Sequence, residues 1–156
     1  MDEANLVLEF VSYIEVCFSN QMYRAVSAKS SKRKSGYWAV EARTDRLKNY
    51  QKSMEDELPK IIDADKLKKF KYAYDTGVYD IQVESVHKVY YKRFYDFDAS
   101  NLIKAHEDCV AKYIGIDDSR TSKYICEKVP TEVDNGWEVH TTMKLVPRNP
   151  LCVRMK

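Results

Sequence analysis

Six carboxylic acids crowd the stretch from Asp96 to Asp118: Asp96, Asp98, Glu107, Asp108, Asp117 and Asp118. Only Lys104 and Lys112 oppose them there. Basic segments bracket this acidic knot: the run holding Arg24, Lys29, Lys32, Arg33 and Lys34, the group Lys66, Lys68, Lys69 and Lys71, and Lys88, Lys92 and Arg93. Carboxylate oxygens are hard ligands suited to Mg²⁺, and a basic rim draws phosphates, so the layout has the parts of a metal-dependent nuclease. The plain alternative is a solvated surface on which charges cluster because 32% of the residues are charged.

To act together these groups must share a face. The segment from about Asn101 to Tyr113 carries a helical pattern that stops at Gly115. At about 100° per residue, Asn101, Lys104 and Asp108 fall within roughly 60° of one another. Leu102, Ile103, His106, Cys109, Val110 and Tyr113 take the opposite side and should dock on a sheet. His106 lies inside that apolar stripe and reads as a packed core histidine rather than a base or ligand. His87 and His140 fall in strands, without H-x-x-x-H or H-E-x-x-H spacing. Each polar residue also has an ordinary explanation. Asp98 or Ser100 could cap the helix, Asp117-Asp118 could be a turn, and Lys104 with Asp108 could be a solvated i, i+4 pair.

The elements that would carry these groups follow from periodicity. Leu6 to Phe18 is rich in β-branched and aromatic residues and reads as a first strand. The basic, serine-rich run after it reads as a loop. From about Glu41 to Ile62, Leu47, Tyr50, Met54, Leu58 and Ile61 recur at helical spacing, with Pro59 and Asp63-Ala64-Asp65 marking where the helix frays. Val78 to Tyr91 alternates well and follows the turn signal Asp75-Thr76-Gly77. Thr121 to Val129 and Glu138 to Val146 read as two further strands, joined through Pro130 and Asn135-Gly136. The order β-α-β-α-β-β implies one α+β domain over residues 1–156, with helices packed on a mixed sheet.

Composition removes several classes. A chain of 156 residues with 44% hydrophobic content is globular in size and makeup, and its 4 glycines and 4 prolines leave no linker-like tract. Four cysteines, Cys17, Cys109, Cys126 and Cys152, are widely spaced, which argues against a zinc ribbon or disulfide scaffold and for a reduced, cytoplasmic setting. Glu9 and Glu15 interrupt the most apolar early stretch, so neither a signal peptide nor a membrane helix is expected. A net charge of +2 indicates no partner by itself.

In order along the chain, Asp98-Ala99-Ser100-Asn101-Leu102-Ile103-Lys104, then Asp108, Asp117-Asp118-Ser119, and Lys128-Val129-Pro130 resemble the RusA-type Holliday junction resolvases. That family's hallmark is D-x-D-N-x-x-K with a later aspartate, a D-D step after the helix, and a lysine at the end of the next strand. Ser19-Asn20-Gln21-Met22-Tyr23-Arg24 is similar to its N-N-x-x-Y segment. The resemblance covers nearly the whole chain and implies a RusA-like fold.

The resemblance further implies Mg²⁺-dependent hydrolysis of a phosphodiester at a four-way DNA junction, with Mn²⁺ a possible substitute. Asp98 and Asp118 would hold the metal, with Asp117 or Asp96 supplementing them. Lys104 would be the catalytic amine, and Asn101, Asp108 and Lys128 would support the site. The sequence departs from the pattern at Ser100, where the family has its second aspartate. Asp96 in the Asp96-Phe97-Asp98 step could restore that carboxylate, or Asp117 or water could fill the gap, and activity rather than fold is put in question. The resemblance also implies a homodimer acting on branched DNA in recombination or repair, often phage-associated and in a bacterial cytoplasm. Arg24, Lys29, Lys32, Arg33, Lys34, Lys68 and Lys69 would contact phosphates, and the aromatics Tyr23, Tyr37 and Trp38 could stack on bases. A relative that binds branched DNA without cutting it is the alternative that Ser100 raises.

Overall fold

Side-chain alternation sets the sheet of this computed structural model, which describes residues 6–29, 37–134 and 136–154. In strand β4 (Tyr79–Tyr90), Ile81, Val83, Ser85, His87 and Val89 are buried, while the residues between them are more exposed. Strand β6 (Glu138–Pro147) buries Val139, Thr141, Met143 and Leu145, and β1 (Val7–Ser12) buries Leu8, Phe10 and Ser12. The register places these rows on one face, with Phe10 opposite Thr141 and Thr141 opposite Ser85. The fourth strand, β5 (Thr121–Thr131), runs parallel to β4, and its Tyr124, Cys126 and Lys128 align with Val83, Ser85 and His87. The four-stranded mixed sheet has the order β1-β6-β4-β5.

Helices cover the buried face. Helix α1 (Asp45–Ile61) is capped by Thr44, whose hydroxyl accepts from the Leu47 amide at 3.1 Å. It buries Leu47, Tyr50, Met54 and Leu58 at helical spacing against β1 and against α3 (Lys104–Ile114). Helix α2 (Ala64–Asp75) begins at Asp63, whose carboxylate accepts from the Lys66 amide, and buries Phe70, Ala73 and Tyr74. Helix α3 crosses between the parallel strands β4 and β5, as such a connection requires. It ends on Gly115 at φ 80°, where only glycine is unstrained. A short helix, α4 (Pro150–Arg154), follows β6. No helix among the described residues is long and apolar enough to cross a membrane.

The α+β class and the single domain follow the sequence expectation, but the element order is fuller. The first strand stops at Ser12 instead of Phe18, where its pairing with β6 ends at Ser12–Val139, one residue from the start of β6 at Glu138. Of the basic run expected as a loop, residues 30–36 fall outside the described residues, and the chain on either side of it pairs as an antiparallel ribbon, β2 (Tyr23–Lys29) and β3 (Tyr37–Arg43), with Tyr23 opposite Arg43 and Lys29 opposite Tyr37. Helix α1 therefore starts after Thr44 rather than at Glu41. Asp63-Ala64-Asp65, expected as a fraying end, opens α2, because an aspartate that can stop one helix can equally cap the next.

Candidate active site

Asp98 sits at the end of a loop fastened by aromatic packing. Phe97 is buried with its ring centroid 4.6 Å from that of Phe18 and 5.7 Å from that of Trp137. Burying such a ring contributes about 1.5–3 kcal/mol. An exposed pair such as Arg93–Asp96 contributes at most about 1 kcal/mol, so the ring sets the loop. With Phe97 turned inward, its neighbours Asp96 and Asp98 are both exposed. Asp98 occupies the N-cap position of a short 3₁₀ turn, Ala99–Leu102, yet its side chain makes no capping bond. Helix α3 also starts without a side-chain cap. The capping explanation therefore holds for neither Asp98 nor Ser100.

Lys128 reaches this loop from β5. Its ammonium donates to the Phe97 carbonyl at 2.8 Å and to the Phe94 carbonyl, and it lies 4.4 Å from the Phe94 ring centroid. Beside it, the Cys126 thiol donates to the Ala99 carbonyl. The 3₁₀ turn Ser19–Gln21 packs on the Ala99–Leu102 turn, and the Ser19 hydroxyl donates to the Asn101 carbonyl at 3.3 Å. Asn20, Gln21, Asp96, Asp98 and Asn101 line one open cleft. Two motif pieces far apart in sequence thus share a site.

A second group forms around Lys104. Its amine lies 3.0 Å from the Asp108 carboxylate and 3.7 Å from that of Asp118. The Asp108 hydrogen bond first, and then the Asp118 charge, hold the Lys104 ammonium above its ordinary pKa. Asp108 lies on the same helix, but Asp118 arrives from the turn beyond it, so the group is more than an i, i+4 pair. Glu107 lines a narrow cleft with Asp118, Thr121 and Tyr124. Burial raises its pKa, and the Asp118 charge raises it further.

No family model matches the chain, and no curated protein matches it.

The turn carrying Asp118 is held by α2. The Tyr74 hydroxyl accepts from the Asp117 amide at 2.9 Å, and the Arg120 guanidinium stacks 4.0 Å from the Tyr74 ring centroid. Lys71 donates to the Gly115 carbonyl. Asp117 is committed locally: its carboxylate accepts from the Ser119 amide at 2.9 Å, which lowers its pKa. Asp96 lies 3.8 Å from Arg93.

The acids expected at one metal centre thus divide between two clefts, Asp96 and Asp98 in one, Asp108, Asp117 and Asp118 in the other. Among the described residues, no three His, Cys, Asp or Glu side chains are grouped closely enough to hold a metal ion. The donor chemistry itself suits magnesium, which binds through one or two carboxylates and keeps several waters. Asp98 has a carboxylate free of capping duty, and the mutual repulsion of Asp118 and Glu107 is what a divalent cation would relieve.

Of the expected phosphate contacts, Lys68 and Lys69 are exposed on α2, and Arg24 and Lys29 lie in β2. Lys32, Arg33 and Lys34 fall outside the described residues. Tyr23 is half exposed, and Tyr37 and Trp38 lie in β3. His106 is fully buried, bonded to the Thr141 hydroxyl at 2.9 Å, as its place in the apolar stripe required. Sequence reasoning counted Glu107 among the acids but gave it no place in the site, because its partner comes from another element. It also missed the clamp by Lys71 and Tyr74, for which the only signal was the spacing of Leu67, Phe70 and Tyr74 along α2.

Proposed function

We propose that this chain is a structure-selective DNA endonuclease of the RusA type that hydrolyses phosphodiesters at four-way junctions. The observation that carries the reading is the approach of Asp118 to Lys104 at 3.7 Å, which joins the two halves of the motif across a whole helix. Lys104, kept charged by Asp108 and Asp118, neutralises the non-bridging oxygens of a phosphate as negative charge builds on them. Its compact ammonium suits that task. Mg²⁺, which supplies water activation and charge neutralisation when bound, would be held by Asp98 and by Asp118 with Glu107 beside it only if their two clefts were drawn together on the DNA. Lys68, Lys69 and the basic β2–β3 ribbon attract the phosphate backbone. A two-fold homodimer would present equivalent sites to the opposed strands of a junction.

The test is incubation of the purified protein with a synthetic four-way junction in Mg²⁺, in Mn²⁺ and in EDTA. Paired symmetric nicks that need the metal and vanish in Asp118→Asn support the reading. Cleavage that survives Asp118→Asn refutes it.

A second reading, branched-DNA binding without cleavage, is favoured by Ser100 and by the lack of three grouped acids among the described residues. Retarded junctions with no nicks in either metal would decide for it.

A further inference from the structure

The bare aromatic beside the Asp98 cleft belongs to neither motif half. Tyr95 is 89% exposed, although it sits in a loop that is otherwise fastened on both sides. The Asp96 amide donates to the Arg93 carbonyl at 3.1 Å, Phe97 is buried, and Lys128 binds the carbonyls of Phe94 and Phe97. The Phe94 ring supports Tyr95 edge-on, with centroids 5.0 Å apart and planes at 90°, and the Lys128 amine lies 5.7 Å from its centroid. Scattered exposed tyrosines are common on protein surfaces and need no explanation. This one is different in being braced by a ring and a cation at the wall of a cleft.

That cleft, of about 480 Å³, is lined by Tyr95 together with Asp98, Asn101, Asn20 and Gln21. Its volume is within the range that takes small ligands. It pairs an aromatic wall with amide side chains able both to donate and to accept hydrogen bonds. Lys92 is exposed three residues before Tyr95, and Arg93, also exposed, pairs with the Glu15 carboxylate at 3.2 Å. An aromatic platform, amides and nearby cations are the means by which proteins hold unpaired nucleobases while tracking the strand's phosphates.

We propose that Tyr95 is the stacking platform for an unpaired nucleobase of the DNA, adjacent to the phosphate presented to Asp98. This deepens the nucleic-acid reading above and rests on it. A base within a continuous duplex is already stacked on its neighbours, so Tyr95 engages branched or single-stranded DNA and passes over paired DNA. The platform selects structure, whereas the basic residues attract any DNA.

The experiment compares wild type, Tyr95→Ala and Tyr95→Phe for binding to a four-way junction, a single-stranded oligonucleotide and a duplex of the same length, in EDTA at fixed salt. Junctions carrying the fluorescent base 2-aminopurine at the branch point report stacking directly. Tyr95→Ala is expected to bind the junction and the single strand about tenfold more weakly. It should lose the fluorescence change and keep its duplex affinity, and Tyr95→Phe should match wild type. Equal affinity of Tyr95→Ala and wild type for the junction overturns the platform while leaving the nuclease reading intact. Equal weakening on all three DNAs also overturns it. A wild-type protein that binds no DNA at low salt overturns both proposals. Tyr95 is exposed, so an unchanged melting temperature should accompany these variants.

Discussion

The Lys128 ammonium donates to the Phe97 carbonyl at 2.8 Å, so the strand that follows the acidic motif holds the loop that precedes it. Hydrogen bonds to a charged group contribute about 1.5–3 kcal/mol each. Lys128→Met removes the cation over the Phe94 ring and leaves both carbonyls without that donor. It should destabilise the protein by about 2 kcal/mol, lowering the melting temperature by roughly 4–8 °C. Thermal unfolding measures this. An unchanged melting temperature would mean that the loop is held by Phe97 alone.

The Glu107 carboxyl answers to Asp118. Because the Asp118 charge helps to raise the Glu107 pKa, Asp118→Asn should lower it toward the ordinary glutamate value. Carboxyl-resolved NMR titration of Glu107 in both proteins checks the direction. A Glu107 pKa that rises or stays constant in the variant contradicts the proximity. This readout is independent of any activity.

Acid should destabilise the core through two histidines. Burial lowers His87 to a pKa of about 3 and His106 to about 4, from an ordinary value of 6.5. Both are neutral in the folded protein, where His106 bonds to Thr141 and His87 to Ser85. Above pH 6.5 neither the folded nor the unfolded state binds these protons, and the histidines' contribution to stability is complete. As the pH falls below 6.5, the unfolded chain takes them up first, and stability declines until the folded-state values near 4 and 3 are reached. By pH 5 the loss is about 2 kcal/mol for each histidine. Urea denaturation at pH 7.5 and pH 5 measures it, and a double variant carrying Gln at both positions should show a flatter dependence.

Under the proposed nuclease reading, Ser100 would limit how far the site can act. It is exposed and caps nothing, so Ser100→Asp should change stability by no more than about 0.5 kcal/mol. The change adds a carboxylate between Asp98 and Asn101 and is expected to raise Mg²⁺-dependent junction cleavage. Initial rates with the two proteins compare directly. Equal rates would show that a missing ligand does not limit the reaction.

Lys104→Met, by removing a positioned charge, should slow cleavage by about 10²–10³-fold with little change in junction affinity. Rates under single-turnover conditions, together with retardation of the uncut junction in EDTA, separate the two effects.

Local pattern was enough for α3 from Lys104 onward, for the buried row of β4 and for His106, because each depends on a periodicity that one stretch of chain displays by itself; Asn101, expected on the same helical face, falls instead in the 3₁₀ turn Ala99–Leu102 and lines the other cleft. The α3 face holding Lys104 and Asp108 was legible in the same way, since residues four apart on a helix are neighbours whatever surrounds them. The β2–β3 ribbon and α2 were not. The first is a pair of strands each of which is supported by the other rather than by a pattern of its own, and the second depends on a capping aspartate whose role is decided by where the chain turns. Asp117 caps its own turn through the Ser119 amide two residues on, a local contact. Tertiary packing, by contrast, decided that Asp118 turns to Lys104 and that Phe97 goes inward so that Asp96 and Asp98 face out. It also divided the acids between two clefts, because the loop before Asp98 is held by β5 and the turn after α3 is clamped by Tyr74 and Lys71. Residue type and spacing determine which groups are available and which helix face they share. The partners that orient them come from distant strands and helices, and those distances in space are not written in any single stretch of residues.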